Sequence, residues 1–133
     1  SVNRESLSTE VLGDPEKIKS LENIIHPLVG EDRKVFFEEN AKAKAVVLDI
    51  PLLFETGGEK FVDYIVVVDA PREIQEERVL SRPNITKAKF EKIITQQIPN
   101  HEKKKKADFI VDTSISIEDA RNQVANIVKK IIE

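Results

Sequence analysis

The stretch AVVLDIPLLFE, residues 45–55, restricts the fold of this chain more than any other. Ala45, Val46, Val47 and Leu48 are apolar without alternation, the pattern of a strand covered on both faces of a parallel sheet. Asp49 closes that run with a carboxylate. Ligands of open α/β sheets gather beyond the carboxyl ends of the strands, so this acid falls where chemistry is usually done. Pro51 cannot donate to a sheet ladder, and Ile50 before it is biased to extended backbone. Residues 51–54 should therefore leave the sheet as an apolar lip, with Glu55 at its edge.

The rest of the chain supports an α/β reading. Residues 3–11 suit a short helix closed by Gly13, and Asp14, Pro15 and Glu16 read as the N-cap, first position and acidic first turn of another. Ile18, Leu21, Ile24 and Ile25 share a helical face. His26-Pro27 is expected to break that helix, with a second from Pro27 to about Lys42 burying Leu28, Val29, Val35 and Phe36 and weakened by Gly30. Gly57-Gly58 makes a turn. Residues 64–69, YIVVVD, form a second buried-type strand that again ends in an acid. Ala70-Pro71 opens a helix carrying Ile74, Arg78, Val79 and Arg82, and Thr86 caps another that runs to about Gln97. Residues 99–106 are polar and basic. Phe109 to Asp112 is a third strand, and Ser116 with Asp119 caps a last helix with Ala120, Val124, Ile127, Val128 and Ile131 inward. The expected order is helix, helix, strand, helix, helix, strand, helix, which gives a thin parallel sheet.

Composition narrows the function. With 133 residues and 40% hydrophobic content, the chain has the material for one folded domain. No apolar run approaches a membrane span, and the polar start SVNRESLSTE lacks the apolar centre of a signal peptide, so a cytoplasmic location is the default expectation. Zero cysteines exclude disulfides and thiolate metal sites. A net charge of -3 spread over 34% charged residues argues against a general nucleic-acid or membrane binder. The sequence holds no methionine, so we expect the natural chain to begin elsewhere.

Individual residues admit a functional and a plain reading. Arg78 and Arg82, spaced i,i+4, could converge as planar forks on phosphate oxygens, or form an exposed face paired with Glu73, Glu76 or Glu77. His26 could donate to a phosphate or a ribose, or simply end a helix. Asp49 could assist a metal through water, or cap the next turn. Asp69 and Asp112 read as strand-end caps. Leu52, Leu53 and Phe54 could be core or a ligand shelf. Lys103 to Lys106 could be a solvated face or an attractor of phosphates, with Lys103 best placed.

Taken in order, Leu21-Glu22-x-Ile24-x-His26-Pro27, Asp49-x-Pro51-Leu52-Leu53-Phe54-Glu55, Val66-Val67-Val68-Asp69-x-Pro71 with Gln75-x-x-Arg78 and Arg82, Ile93-x-x-Gln96, and Lys103 ahead of Ala107-Asp108-Phe109-Ile110-Val111-Asp112 resemble the dephospho-coenzyme A kinase family. That resemblance implies a P-loop-kinase-like parallel sheet with a helical substrate-binding region and a lid. It also implies transfer of the ATP γ-phosphate, with Mg2+, to the ribose 3′-hydroxyl of dephospho-coenzyme A, the last step of coenzyme A synthesis. Residues 1–44 would be the substrate region, 45–72 and 107–133 the sheet portion, and 73–106 the lid. The resemblance assigns Arg78 as catalytic phosphate clamp and Arg78, Arg82, Lys103 and Asp112 to ATP and the lid. His26, Pro51, Leu52, Leu53 and Glu55 go to the substrate, and Asp49 to the metal through water.

One departure is large. The family's glycine-rich phosphate loop ending in Gly-Lys-Ser/Thr, and the following strand with its general-base aspartate, have no counterpart in this sequence, whose only adjacent glycines are Gly57-Gly58. The expectation is an incomplete sheet lacking the first strand, with the middle missing between residues 46–50 and 64–69, and a chain inactive by itself. The alternative from another class is a non-catalytic module that holds a coenzyme A-like nucleotide. A sister kinase with another acceptor is a weaker third.

Overall fold

A computed structural model describes residues 2–11 and 13–133. The chain divides into two compact units, residues 1–46 and 47–133.

The first unit holds two helices. α1, Arg4–Val11, starts where Asn3 Oδ1 accepts the backbone N–H groups of Glu5 and Ser6, both at 3.1 Å. Gly13 turns the chain at φ 96°, a conformation that favours glycine. α2, Pro15–Glu39, begins as the sequence indicates, with Asp14 Oδ1 accepting from Glu16 and Lys17 at 3.0 and 3.2 Å. It does not end at His26-Pro27. Pro27 lies inside one 25-residue helix, so the expected break is corrected to a continuous element. A proline removes one ladder bond and crowds the preceding turn, and the many remaining bonds of a helix this long carry it through. The expected burial is corrected as well. Leu28, Val29, Val35 and Phe36 stay 39–61% exposed, and α2 has no buried residue.

The second unit is built on a parallel pair of strands. β1, Val66–Asp69, lies beside β2, Phe109–Asp112, in the register Val66↔Phe109 through Asp69↔Asp112. A parallel pair needs a long crossover. Here it consists of α3, Arg72–Leu80, α4, Lys87–Thr95, and α5, Asn100–Lys105. α6, Ile117–Ile132, follows β2 and packs on it. Thr86 caps α4 through Lys89 N–H, and Ser116 caps α6 through Asp119 N–H, both as read from sequence. The polar stretch after Pro99, given no element in the expected order, is the short helix α5.

The third expected strand is absent. Residues 45–50 belong to no strand, and Val47 is 84% exposed. A strand exists through its partners; the sheet among the described residues has two strands, and neither pairs with 45–50. Residues 51–57 then turn, and Gly57, at φ 70°, leads into a 3-10 turn, Gly58–Phe61.

The core sits at the strand pair. Val67 and Val111 are buried, with Ala70 just after β1 and Phe90 on α4. Parallel register puts Val68 and Val111 on the sheet face that α6 covers, and Val67 and Asp69 on the other. Arg72 Nη2 donates to both Glu91 carboxylate oxygens at 3.0 and 3.1 Å, tying α3 to α4. Asp108 closes the amino end of the ladder by accepting Ile65 N–H at 2.8 Å.

Candidate functional site

The carboxyl ends of β1 and β2 carry the polar groups of the second unit. Thr113, one residue past β2, donates from its backbone N–H and from its hydroxyl to the carbonyl of Asp69, at 2.9 and 3.0 Å. The β1 end is thereby locked to the β2 end. Gln75 Nε2 donates to the Ala70 carbonyl at 2.6 Å and anchors the start of α3. One helical turn later Arg78 reaches back over the strand ends. Its Nη1 donates to Thr113 Oγ1 at 3.0 Å and its Nη2 to the Thr113 carbonyl at 2.6 Å.

Arg78 borders two hollows. One, of about 260 Å³, is lined by Asp69, Gln75, Arg78, Arg82, Asn100 and Thr113. The other, of about 750 Å³, lies on the α6 side of the sheet and is lined by Val68, Val111, Thr113 and Arg121 among others. Arg82 shares the first hollow but not the helix. α3 ends at Leu80 with Ser81 as its cap, so the expected i,i+4 pair on one helix is corrected; the chain turn after Ser81 brings Arg82 to the same hollow. The plain reading of these arginines required partners at Glu73, Glu76 or Glu77. Among the described residues no carboxylate pairs with Arg78 or Arg82, and Glu76 pairs with Lys87 at 3.2 Å.

Lys103 and Glu55, assigned separately to ATP and to substrate, are partners. Lys103 Nζ lies 2.8 Å from Glu55 Oε1, and the two side chains are only 13% and 15% exposed. Ile98 N–H donates to the same oxygen at 3.1 Å. Burial raises the Glu55 pKa, but the Lys103 hydrogen bond, the backbone N–H groups of Glu55 and Ile98 and the Lys103 charge outweigh it and hold the carboxyl below 4.5. Beside this pair, Lys104 Nζ reaches Asp69 Oδ2 at 2.6 Å, and Asn100 donates to Asp69 Oδ1. Lys106 stands 5.6 Å over the Phe54 ring. The basic run is thus neither a solvated face nor wholly free for phosphates: it fastens α5 to the lip and to β1.

The remaining predicted residues are dispersed. Asp112 is exposed at the end of β2; its Oδ1 accepts Ser114 N–H at 2.7 Å, and hydrogen bonding from the Ser114 side chain first and from that backbone N–H second holds its carboxyl below the ordinary carboxylate value. Pro51 and Leu52 are exposed and Leu53 half-buried in the turn segment. Asp49 is exposed in the unpaired stretch. His26 is exposed on α2 in the first unit. Sequence reasoning missed Thr113, Gln75 and Asn100. Gln75 stands in the quoted Gln75-x-x-Arg78 motif but was given no role, and Thr113, one residue past a strand end, has nothing in its local pattern to mark it. Among the described residues no three His, Cys, Asp or Glu side chains gather as cation ligands.

The family model for dephospho-CoA kinase matches residues 1–119. The chain belongs to the dephospho-CoA kinase family. A dephospho-CoA kinase of Bradyrhizobium diazoefficiens is 52% identical over 134 residues, which cover 99% of this chain and 67% of that relative. One from Brucella melitensis is 52% identical over 129 residues, 96% of this chain and 64% of its own. Among solved structures, TT1252 from Thermus thermophilus superposes with a TM-score of 0.75 at 32% identity, covering 96% of this chain and 66% of that one. Dephospho-CoA kinase from Campylobacter jejuni gives 0.59 at 27% identity, covering 98% and 65%. The chain therefore spans about two thirds of the length of these dephospho-CoA kinases. Its fold class is that of the family: α/β, with a parallel sheet flanked by helices. No helix is long and apolar enough to cross a membrane among the described residues.

Proposed function

We propose that this chain contributes the substrate and lid parts of an enzyme that transfers the γ-phosphate of ATP to the ribose 3′-hydroxyl of dephospho-coenzyme A. The observation that carries the proposal is the hollow at the strand ends, bordered by Arg78 and Arg82 with, among the described residues, no carboxylate paired to either. Phosphoryl transfer asks a protein mainly for positioning and for cations fixed where charge spreads over the transferring oxygens. One fork held at the carboxyl end of a parallel pair, with a second lining the same hollow, suits that task.

In this reading Arg78 clamps the transferred phosphoryl group and Arg82 the ATP phosphates, with Asp112 near the nucleotide. Glu55 and Lys103 act as a pair that sets the lip, residues 51–55, against α5, so that Pro51, Leu52 and Leu53 form the substrate shelf. His26 is assigned to the substrate as well. Residues 1–44 are the substrate region, 73–106 the lid, and 45–72 with 107–133 the sheet portion. Magnesium enters as the companion of ATP, with Asp49 as its only candidate among these residues, and no step is assigned to it. A cytoplasmic location and the need for a phosphate loop outside these residues belong to the same proposal.

The test is ATP-dependent phosphorylation of dephospho-coenzyme A by the full-length protein and by its Arg78→Ala variant. Loss of a preorganised charge donor should reduce kcat by about 10²- to 10³-fold, with a much smaller change in KM for either substrate. An unaltered kcat would overturn the assignment. Binding of ATP and dephospho-coenzyme A without any phosphate transfer would favour the non-catalytic module.

A further inference from the structure

Arg78 stands on an exposed helix face, where a long side chain ordinarily samples many rotamers. Yet two of its nitrogens are held by a single residue, Thr113, through the hydroxyl at 3.0 Å and the carbonyl at 2.6 Å. The hydroxyl has its own direction fixed. It donates to the Asp69 carbonyl at 3.0 Å, so it meets Nη1 with a lone pair. The Thr113 backbone N–H donates to the same carbonyl at 2.9 Å, which ties the residue to the end of β1 as well as to β2.

We propose that Thr113 is a positioning residue for phosphate transfer, one that fixes the Arg78 guanidinium over the strand ends while leaving its charge unneutralised; this rests on the reading of Arg78 given above. The chemistry of the partner matters. A carboxylate would hold the fork more tightly, but it would cancel the charge the phosphoryl group needs. A hydroxyl and a carbonyl orient it as neutral acceptors. The nearest acid in sequence, Asp112, is turned to Ser114 N–H instead, and Asp69 carries Asn100 and Lys104 on its two oxygens. Of the five guanidinium N–H groups, those not directed at Thr113 remain for a ligand in the hollow shared with Gln75, Arg82 and Asn100.

The experiment is a double-mutant cycle in the full-length protein, with kcat and KM measured for T113V, T113S, R78A and T113V/R78A, and with T113A as a second variant that removes the same acceptor without the added methyl. T113V and T113A should lower kcat by about 10- to 100-fold, as loss of orientation does, and change KM for dephospho-coenzyme A by less than about threefold, since the substrate shelf is untouched. T113S should restore most of the turnover. The double variant should be no slower than R78A, because a residue that acts only through Arg78 has nothing left to position. Full turnover in T113V and T113A overturns the proposal, as does a T113V deficit that persists undiminished on top of R78A. If R78A itself keeps full turnover, the reading of Arg78 fails, and that outcome is told apart because it appears in the single variant before Thr113 is touched.

Discussion

Glu55 and Lys103 show how little a residue's own neighbourhood in sequence reveals of its task. Each is legible as a charged group beside a recognisable motif, yet they lie far apart in the chain, and only the approach of α5 to the lip joins them at 2.8 Å. The pair is nearly buried, and Glu55 Oε2 has no hydrogen-bond partner at all. Removing the lysine would leave a carboxylate with little water and no counterion. K103M should therefore cost about 3 kcal/mol of unfolding free energy at pH 7, and E55Q, which leaves a neutral amide in place, less. The folded state holds the Glu55 pKa below 4.5, so the native protein binds that proton less readily than the unfolded chain. The stabilisation is then present above the ordinary carboxylate value and fades as pH falls through the lowered one. Urea titrations at pH 7 and near pH 3 check this: the gap between wild type and E55Q should be wider at the first than at the second. A gap of equal width at both would mean that the carboxylate's charge contributes nothing.

At the scale of elements, local chemistry was readable wherever a cap or a turn set the outcome. Asp14, Thr86 and Ser116 start helices in the structure as their side-chain oxygens require, and Gly57 takes the positive φ its turn needs. Errors arose where an element depends on something other than its own residues. α5 has no apolar residue to give it a period; its support comes from Lys103 on Glu55 and from Asn100 and Lys104 on Asp69. Residues 45–50 have a strand's composition without a strand's partner. Arg82 is one residue past the cap of α3, a distance that periodicity does not resolve. In α2 the local breaker lost. Pro27 lacks the N–H that would bond back to Asn23, so P27A should restore one ladder bond and raise the stability of α2 by roughly 1–3 kcal/mol. Thermal unfolding followed by far-UV circular dichroism would register this as a higher midpoint; a lower one would mean that the proline is itself needed there.

For the molecule as a whole, stability is concentrated in a small region. Val67, Ala70, Phe90 and Val111 are the buried apolar residues among those described, and all lie in the second unit. Amide hydrogen exchange should follow that distribution, slowest for the β1–β2 ladder and fastest for residues 45–50, whose backbone groups have no strand partner. Equal protection in both segments would contradict the two-stranded arrangement. The class of the fold was legible because two of the three unbroken apolar runs do form the paired parallel strands, and Asp69 and Asp112 at their ends were marked, whereas Thr113 beyond β2 was not. The pairing of those residues was not, since it is fixed by contacts between distant segments. The unpaired stretch has one more consequence, for how solutions of this chain behave. Val66, Val68 and Ile110 are exposed on the strands and Val47 on the unpaired stretch, and among the described residues each strand of the pair has a neighbour on one side only. Free N–H and C=O groups beside such side chains are a template on which another copy can lay a strand. Shelf life in concentrated solution is thus governed by the sheet's open borders, and additives or partners that occupy them should extend it without touching the arginines at the strand ends.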